Sequence, residues 1–396
     1  MKLLEDIIVL DFSQYLAGPV SALRLADLGA RVIKIERPNA GDGSRQLTLS
    51  NLRVDGESTV FQSMNRNKES YAANLKDSSD LARVKRLIQQ ADVVIENFRP
   101  GAMKKLGLDY ESVKALNPGI IYGSITGYGG EGPWKNKPGQ DLLVQSMSGL
   151  AWLNGDGDQP PVPLGLATID LHTSSMFVQA LLGLLYKREK TGVGGLVEIS
   201  LMEAALDFQF EVLSAYMNKE PRELPKRSGF RNAHAYLGAP YGIYETKDGY
   251  IALAMGSILI LGQLLQCDEL LGYTEQTSWF NERDTIKGLL NRHLKTRSTK
   301  EWLDILEPAD YWCAEVFNWE QALQHEGIEV LDMFQEVVRP SGALFKTTRY
   351  PARVNGQLLK HVKGAPPVGE HTARINRDFG LDSAAENAEG GQTDGE

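Results

Sequence analysis

The stretch IIVLDFSQYLAGPVSALRLADLGARVIKIE, residues 7–36, decides the fold class. Its apolar run Ile7 to Phe12 has the length of a buried strand, Ser21 to Leu28 repeats its apolar residues at helical spacing, and Gly29 punctuates before a second strand, Arg31 to Glu36. Strand, helix, strand with short connections is the pattern of a parallel βαβ unit. The alternation continues: helical Ser79 to Gln90 precedes a strand at Asp92 to Glu96, and helical Tyr110 to Leu116 precedes a strand at Ile120 to Ile125. The sequence therefore predicts an α/β fold built on a parallel sheet over roughly the first 200 residues.

Further along, NKEPRELPKRSGF (residues 218–230) is polar, contains prolines and lacks an apolar period, so it reads as a linker. Beyond it, APYGIYETKDGYIALAM (239–255) reads as a hairpin turning at Lys247-Asp248-Gly249, and Ile258 to Leu265, Asp284 to His293 and Thr299 to Leu306 read as helices. This predicts a smaller α+β domain at 231–325, behind a large domain at 1–217. A mixed C-terminal segment follows at 326–381. The tail DSAAENAEGGQTDGE (382–396) is acidic and lacks aromatic and branched apolar residues, so it is expected to be flexible.

Composition narrows the function classes. A chain of 396 residues with 42% hydrophobic content can bury a large core. Its net charge of −9 and the absence of a long Lys/Arg run argue against a nucleic-acid partner. Cys267 and Cys313 are far apart and outside any metal-ligand spacing, so no disulfide framework and no metal site is expected. The chain opens directly on a strand pattern and has no apolar window of membrane length, which predicts a cytoplasmic protein with no membrane partner.

The turn after the first strand, Ser13-Gln14-Tyr15-Leu16-Ala17-Gly18-Pro19, is not the G-x-G-x-x-G of a dinucleotide site. Basic residues instead recur where strands end: Arg37, Lys68 and Lys76, Arg99, Lys104 and Lys105, Lys135 and Lys137. In a doubly wound sheet those ends share one edge, where an anionic nucleotide would be met. For any one of these residues a solvated surface position is the better reading; the argument lies in their repetition. Glu36, at the end of the second strand, could meet a ribose hydroxyl or simply be solvated. The loop Tyr122 to Pro133 carries five glycines, which permits close backbone approach without requiring it.

Asp170 ends the apolar, proline-bounded stretch Pro160 to Ile169 and stands at the mouth of a helical pattern from Leu171 to Lys190. Facing the helix's unpaired N–H groups, its carboxylate is expected to stay ionised and point outward, as a nucleophile must. The same position suits an N-cap that does no chemistry. His172 could act as a general base or fill the first helical turn.

Taken in order, the motifs DFSQYLAGP, LGARVIKIERPNAGD, NRNKESYAANLK, ADVVIENFRPGAMKKLGL, NPGIIYGSITGYGGEGPW, PGQDLLVQSMSGL, GLATIDLHTSSMFVQALLGLLYKREKTG, GAPPVGEHT and INRDFGL resemble the family III CoA-transferases, the group that includes formyl-CoA transferase and the carnitine CoA-transferases. The resemblance implies that Asp170 is the covalent nucleophile of an acyl-CoA:carboxylate CoA-transferase. The reaction would pass through a mixed anhydride and an aspartyl-CoA thioester. It implies that coenzyme A, as substrate, is held by Leu16, Ala17, Arg37, the stretch Ala73-Asn74-Leu75-Lys76, Asn97, Phe98, Arg99, Lys105, and the neighbourhood of Lys137, Gln140 and Asp141. The other partner would be a small carboxylic acid, and no further cofactor is required. It implies a Rossmann-like large domain, completed by C-terminal residues, and two chains interlocked as a homodimer.

Three departures bear on the substrate. Gln140 stands where the family's racemases carry a histidine in a G-H-D triplet, and an amide exchanges no proton at neutral pH, which disfavours the alternative of an α-methylacyl-CoA racemase or isomerase. The glycine-rich lid loop of formyl-CoA transferase is not visible after Phe230, and YWCAEVFN around Cys313 departs from the family's G-x-P-C-x-P. A non-catalytic CoA-binding homologue is the third reading, against which the presence of Asp170 speaks.

Overall fold

The computed structural model describes residues 2–381; the acidic tail expected to be flexible lies outside the described residues. Two units divide the chain. The larger comprises, of the described residues, 2–141, 168–205 and 332–381, and the smaller comprises 142–167 and 206–331.

The larger unit is built on six parallel strands, β1 (Ile8–Asp11), β2 (Arg31–Glu36), β3 (Glu69–Ala72), β4 (Val93–Glu96), β5 (Ile121–Thr126) and β6 (Gly195–Ser200). They lie in the order β3-β2-β1-β4-β5-β6. Chain order reverses between β1 and β4, and at such a switch point a crevice opens beyond the strand C-termini. Helices α1 (Ala17–Asp27), α2 (Ser78–Ile88) and α3 (Tyr110–Leu116) supply three of the five crossovers. α1 is buried along nearly its whole length: Ala17, Ala22, Leu23, Leu25 and Ala26 pack inward, Ser21 and Asp27 are buried with them, and only Arg24 is not buried. α2, by contrast, buries only Val84, Leu87 and Ile88, the stripe that its i, i+3, i+4 spacing allows. Those three pack with Leu10, Ile33, Val94, Val113 and Tyr122 in one continuous core.

The C-terminal segment returns to this unit. Helix Thr372–Asp378 docks beside β3: Thr372 Oγ1 accepts from Ala72 N (2.9 Å), and Tyr71 Oη donates to Asn376 Oδ1 (2.9 Å).

In the smaller unit, strands Gly242–Glu245 and Tyr250–Leu253 form the expected hairpin, joined by Cys313–Glu315 as a third strand. Helices Ile258–Leu265, Arg283–Leu294 and Thr299–Leu306 close its core around Trp302, Tyr244 and Leu290.

The domain boundaries differ from those read in the sequence. Residues 142–167 form an insertion grouped with the smaller unit, and 206–217 go with it as well. The stretch 218–230 is not a free linker: Arg227 donates to the carbonyls of Asn154 and Gln159 (2.6 and 2.8 Å), and Gly157 N to that of Ser228 (2.7 Å).

Candidate active site

Four strand ends of the larger unit enclose a cavity of about 310 Å³. Phe12, Ser13 and Gln14 follow β1, Lys34 to Arg37 close β2, Ala73 to Lys76 follow β3 and Phe98 follows β4. It therefore straddles the switch point. Of the residues singled out in the sequence, it brings together Arg37, Ala73, Asn74, Lys76 and Phe98; Arg37, Asn74 and Lys76 are exposed. Leu16 and Ala17 open α1 at the end of the same β1 turn, Leu16 as a cap residue whose side chain makes no capping bond. The helix's first N–H groups, which have no intrahelical acceptor, are thus left to other partners. Lys105 and Arg99 are on the surface, and Leu106 rather than Lys105 lines the cavity. Lys137 and Gln140 lie on an exposed loop.

The turn from Ser13 to Ala17 is held in place from three sides. The Asn97 amide clamps it, accepting from Gln14 N (2.8 Å) and donating to Gln14 O (2.7 Å), so this side chain is spent on the turn. Gly18 lies so close to Ser13 that a Cβ would come within 2.2 Å of the serine Cβ. Beneath, Lys34 Nζ donates to Ser13 O (2.7 Å) and pairs with Asp42 (2.9 Å), while Asp42 Oδ1 accepts from Tyr15 N (3.1 Å).

This charged layer corrects two readings of the sequence. Lys68 is no surface cation awaiting a phosphate: it is fully buried, with Nζ 2.8 Å from Asp11 Oδ2 and donating to Pro19 O and Asn65 Oδ1. Burial pushes its ammonium down to about 8 against the pull of Asp11. Burial would raise Asp11, but Lys34 and Lys68 outweigh it and hold its carboxyl below the ordinary range. Glu36, likewise, is not solvated; it is buried, ion-paired with Arg45 (2.8 Å) and accepting from Ser70 Oγ (2.6 Å). Sequence reasoning passed over Lys34, Asp42 and Arg45. The one signal was a lysine inside the otherwise apolar strand RVIKIE.

Helix α4 spans Asp141–Met147, and Asp170 sits in the first turn of helix α5 (Thr168–Thr191). It does not cap that helix. The cap is the buried carboxylate of Asp141, whose Oδ2 accepts from Ile169 N (2.8 Å) and Asp170 N (3.0 Å). Burial, and next the charge of Asp141, push the half-buried Asp170 carboxyl up to about 7, where the sequence led us to expect a group kept fully ionised by the helix. α5 packs on α1, and Ser174, one turn beyond Asp170, donates through Oγ to Ala17 O (2.6 Å). The Asp170 turn and the cavity are thus tied to the same short segment, residues 13–17.

Asp141 reaches α5 because two glycine backbones touch. A Cβ on Gly127 would come within 2.6 Å of Gly139 Cα, and one on Gly139 within 2.5 Å of Gly127 Cα. Here the glycine-rich loop has its structural reason. His172 is half-buried on the same helix turn. Among the described residues no His/Cys/Asp/Glu group could hold a metal ion, and no helix is long and apolar enough to cross a membrane.

Comparison with known proteins agrees with this arrangement. The profile of CoA-transferase family III matches residues 4–372. Succinyl-CoA:glutarate CoA-transferase of Mus musculus is 32% identical over 385 residues, covering 96% of this chain and 86% of its own. Acetyl-CoA:oxalate CoA-transferase of Acetobacter aceti is 30% identical over 388 residues, covering 96% of both. Among solved structures, a CAIB/BAIF family protein from Brucella suis superimposes with a TM-score of 0.82 at 30% identity, over 96% of this chain and 99% of that one. A parallel six-stranded sheet, a strand-end cavity rimmed by cations, and this likeness along almost the full length converge: the chain belongs to CoA-transferase family III and is an enzyme that transfers CoA.

Proposed function

We propose that this enzyme moves CoA between an acyl-CoA and a free carboxylic acid, with Asp170 as the covalent nucleophile. The observation that carries the reading is the shared 13–17 segment. It borders the cavity through Ser13 and Gln14, and it receives the Asp170 helix through Ala17.

In this reading the nucleotide end of CoA occupies the cavity, with Arg37 and Lys76 meeting its phosphates, and the pantetheine arm runs over Leu16 and Ala17 toward Asp170. Lys105, Arg99 and Lys137 would add longer-range attraction for the polyanion. The Asp170 carboxylate attacks the thioester carbonyl, forming a mixed anhydride and expelling CoA thiolate, a competent leaving group with a thiol pKa of about 8.5. The thiolate then attacks the aspartyl carbonyl of the anhydride. This releases the donor acid and leaves an aspartyl-CoA thioester, and the acceptor carboxylate reverses the sequence. One thioester is exchanged for another, so the cycle needs no ATP, metal or redox cofactor. With a pKa of about 7, Asp170 is half ionised at neutrality and more basic than a solvated carboxylate, which favours attack.

Because the mouse and Acetobacter relatives are named for glutarate and oxalate, short dicarboxylic acids are the first acceptors to test. Two interlocked chains form the working unit in this proposal. The helix Phe210–Met217 (FEVLSAYM) supports that: it is mostly apolar yet buries none of its residues, and Phe210 is 69% exposed. The chain's two thiols, Cys267 and Cys313, are free, which suits a reducing compartment such as the cytoplasm.

Exchange of isotopically labelled CoA between succinyl-CoA and a panel of mono- and dicarboxylic acids tests the activity. Exchange that disappears in Asp170→Ala is expected. No exchange with any acid, or deuterium uptake from solvent at the acyl α-carbon, would overturn the transferase reading, the latter in favour of racemisation.

A further inference from the structure

We propose that Asp141 is a positioning residue for the transfer reaction: its carboxylate pins the backbone beneath Asp170 and denies the nucleophile the helix N–H groups that would weaken it as a base. This inference rests on the reading of Asp170 as nucleophile and deepens it. It also gives Asp141 a role other than holding CoA.

The first turn of a helix offers several N–H groups without intrahelical acceptors, together with the positive end of the helix dipole. Together they favour the charged form of a carboxylate in that turn and make it a weaker base. In this chain Asp141 Oδ2 takes both Ile169 N and Asp170 N. The acceptor is delivered from a distant stretch of chain, 29 residues before Asp170, by the contact of Gly127 with Gly139. Asp141 is 4% exposed, so its position is set by packing and not by solvent.

Electrostatics agree. The charged and titratable groups on the segments tied to the Asp170 turn are His172 on α5 itself, Tyr15 in the β1 turn, Asp11 beneath that turn with Lys34 and Lys68 paired to it, and Lys137 ahead of Asp141. The charge of Asp141 raises the Asp170 carboxyl, as a second cause after burial, and so acts to hold the proton. One carboxylate thus satisfies the helix end while repelling negative charge on its neighbour. A neutral cap would perform only the first task.

Two substitutions separate the tasks. Asp141→Asn keeps a capping oxygen and removes the charge; Asp141→Ser does the same with a shorter side chain, in case the amide perturbs folding. The measurement is the pH dependence of the first half-reaction, read as single-turnover release of CoA thiol from an acyl-CoA, with KM for acyl-CoA measured in parallel. The ascending limb should move to lower pH by about one unit in both variants, with about a tenfold slower plateau and KM within threefold of wild type. An unmoved limb overturns the proposal. A large rise in KM with the limb unmoved would also overturn it, assigning Asp141 to CoA binding instead. Should wild type release no thiol at all, the transferase reading itself fails. The inference then stands or falls on Asp170 alone: the pH at which Asp170→Asn gains its stability advantage must move in the Asp141→Asn background, and no movement refutes it.

Discussion

Replacing Asp170 by Asn should stabilise the protein, and by an amount that depends on pH. The folded chain holds this carboxyl at about 7 against an ordinary value of 3.8. Because the folded state binds the proton more tightly than the unfolded chain, the wild-type side chain costs nothing well below 3.8. Its cost grows as pH rises through the interval and levels off above 7. A displacement of that size corresponds to a ceiling of about 4 kcal/mol. Residual contact with solvent screens the repulsion from Asp141, so we expect a gap of about 2 kcal/mol at pH 8. Asn has the same shape and no charge to lose. Urea unfolding of both proteins at fixed chain concentration, followed by circular dichroism from pH 4 to 8.5, reads the difference directly. The Asn variant should be inactive yet more stable at pH 8, with the two curves converging near pH 4. A gap that does not change with pH, or a wild type more stable than the variant at pH 8, would refute the claim that the site holds its nucleophile under strain.

Other outcomes follow from the same geometry. Lys68→Met leaves Asp11 buried beside one cation instead of two, and should cost about 3–5 kcal/mol in unfolding free energy, measured by denaturant titration. Arg37→Ala and Lys76→Ala should each raise KM for acyl-CoA by about tenfold while kcat changes less than threefold, and should flatten the salt dependence of KM. Gly139→Ala drives a methyl into the Gly127 backbone and should cost about 1–3 kcal/mol, lowering the melting temperature and also kcat, since the same strand of chain carries Asp141.

How much of this was written in the sequence varies with the physics involved. β2 and the helices Tyr110–Leu116, Ile258–Leu265 and Thr299–Leu306 end where their apolar periods end. Two sheet strands escaped. β3, ESYA, sits among polar residues because its neighbours are a buried lysine and a C-terminal helix, and β6, GLVEIS, opens on a glycine at the sheet edge. The insertion at 142–167 was illegible because membership of a unit is decided by long-range contacts, which leave no local period. At the site, cations at strand ends were a sound guide for Arg37 and Lys76 and a false one for Lys68. Charge alone does not say whether a lysine faces solvent or an aspartate two strands away. Asp170 was legible as a helix-start carboxylate, but its raised carboxyl was not: burial is the first cause, and the second, the charge of Asp141, depends on a contact between residues 29 apart.

The central claim is that one oxygen of Asp170 becomes bonded to acyl carbon during turnover. Incubating the enzyme with acyl-CoA, adding hydroxylamine to capture any activated carboxyl, and mapping the modified peptide by mass spectrometry tests it most directly. A hydroxamate on Asp170 is expected within the peptide that carries Thr168 to Thr191, formed only when acyl-CoA is present. Turnover proceeding at full rate with no modification at Asp170, or with the hydroxamate on another carboxylate, would contradict it.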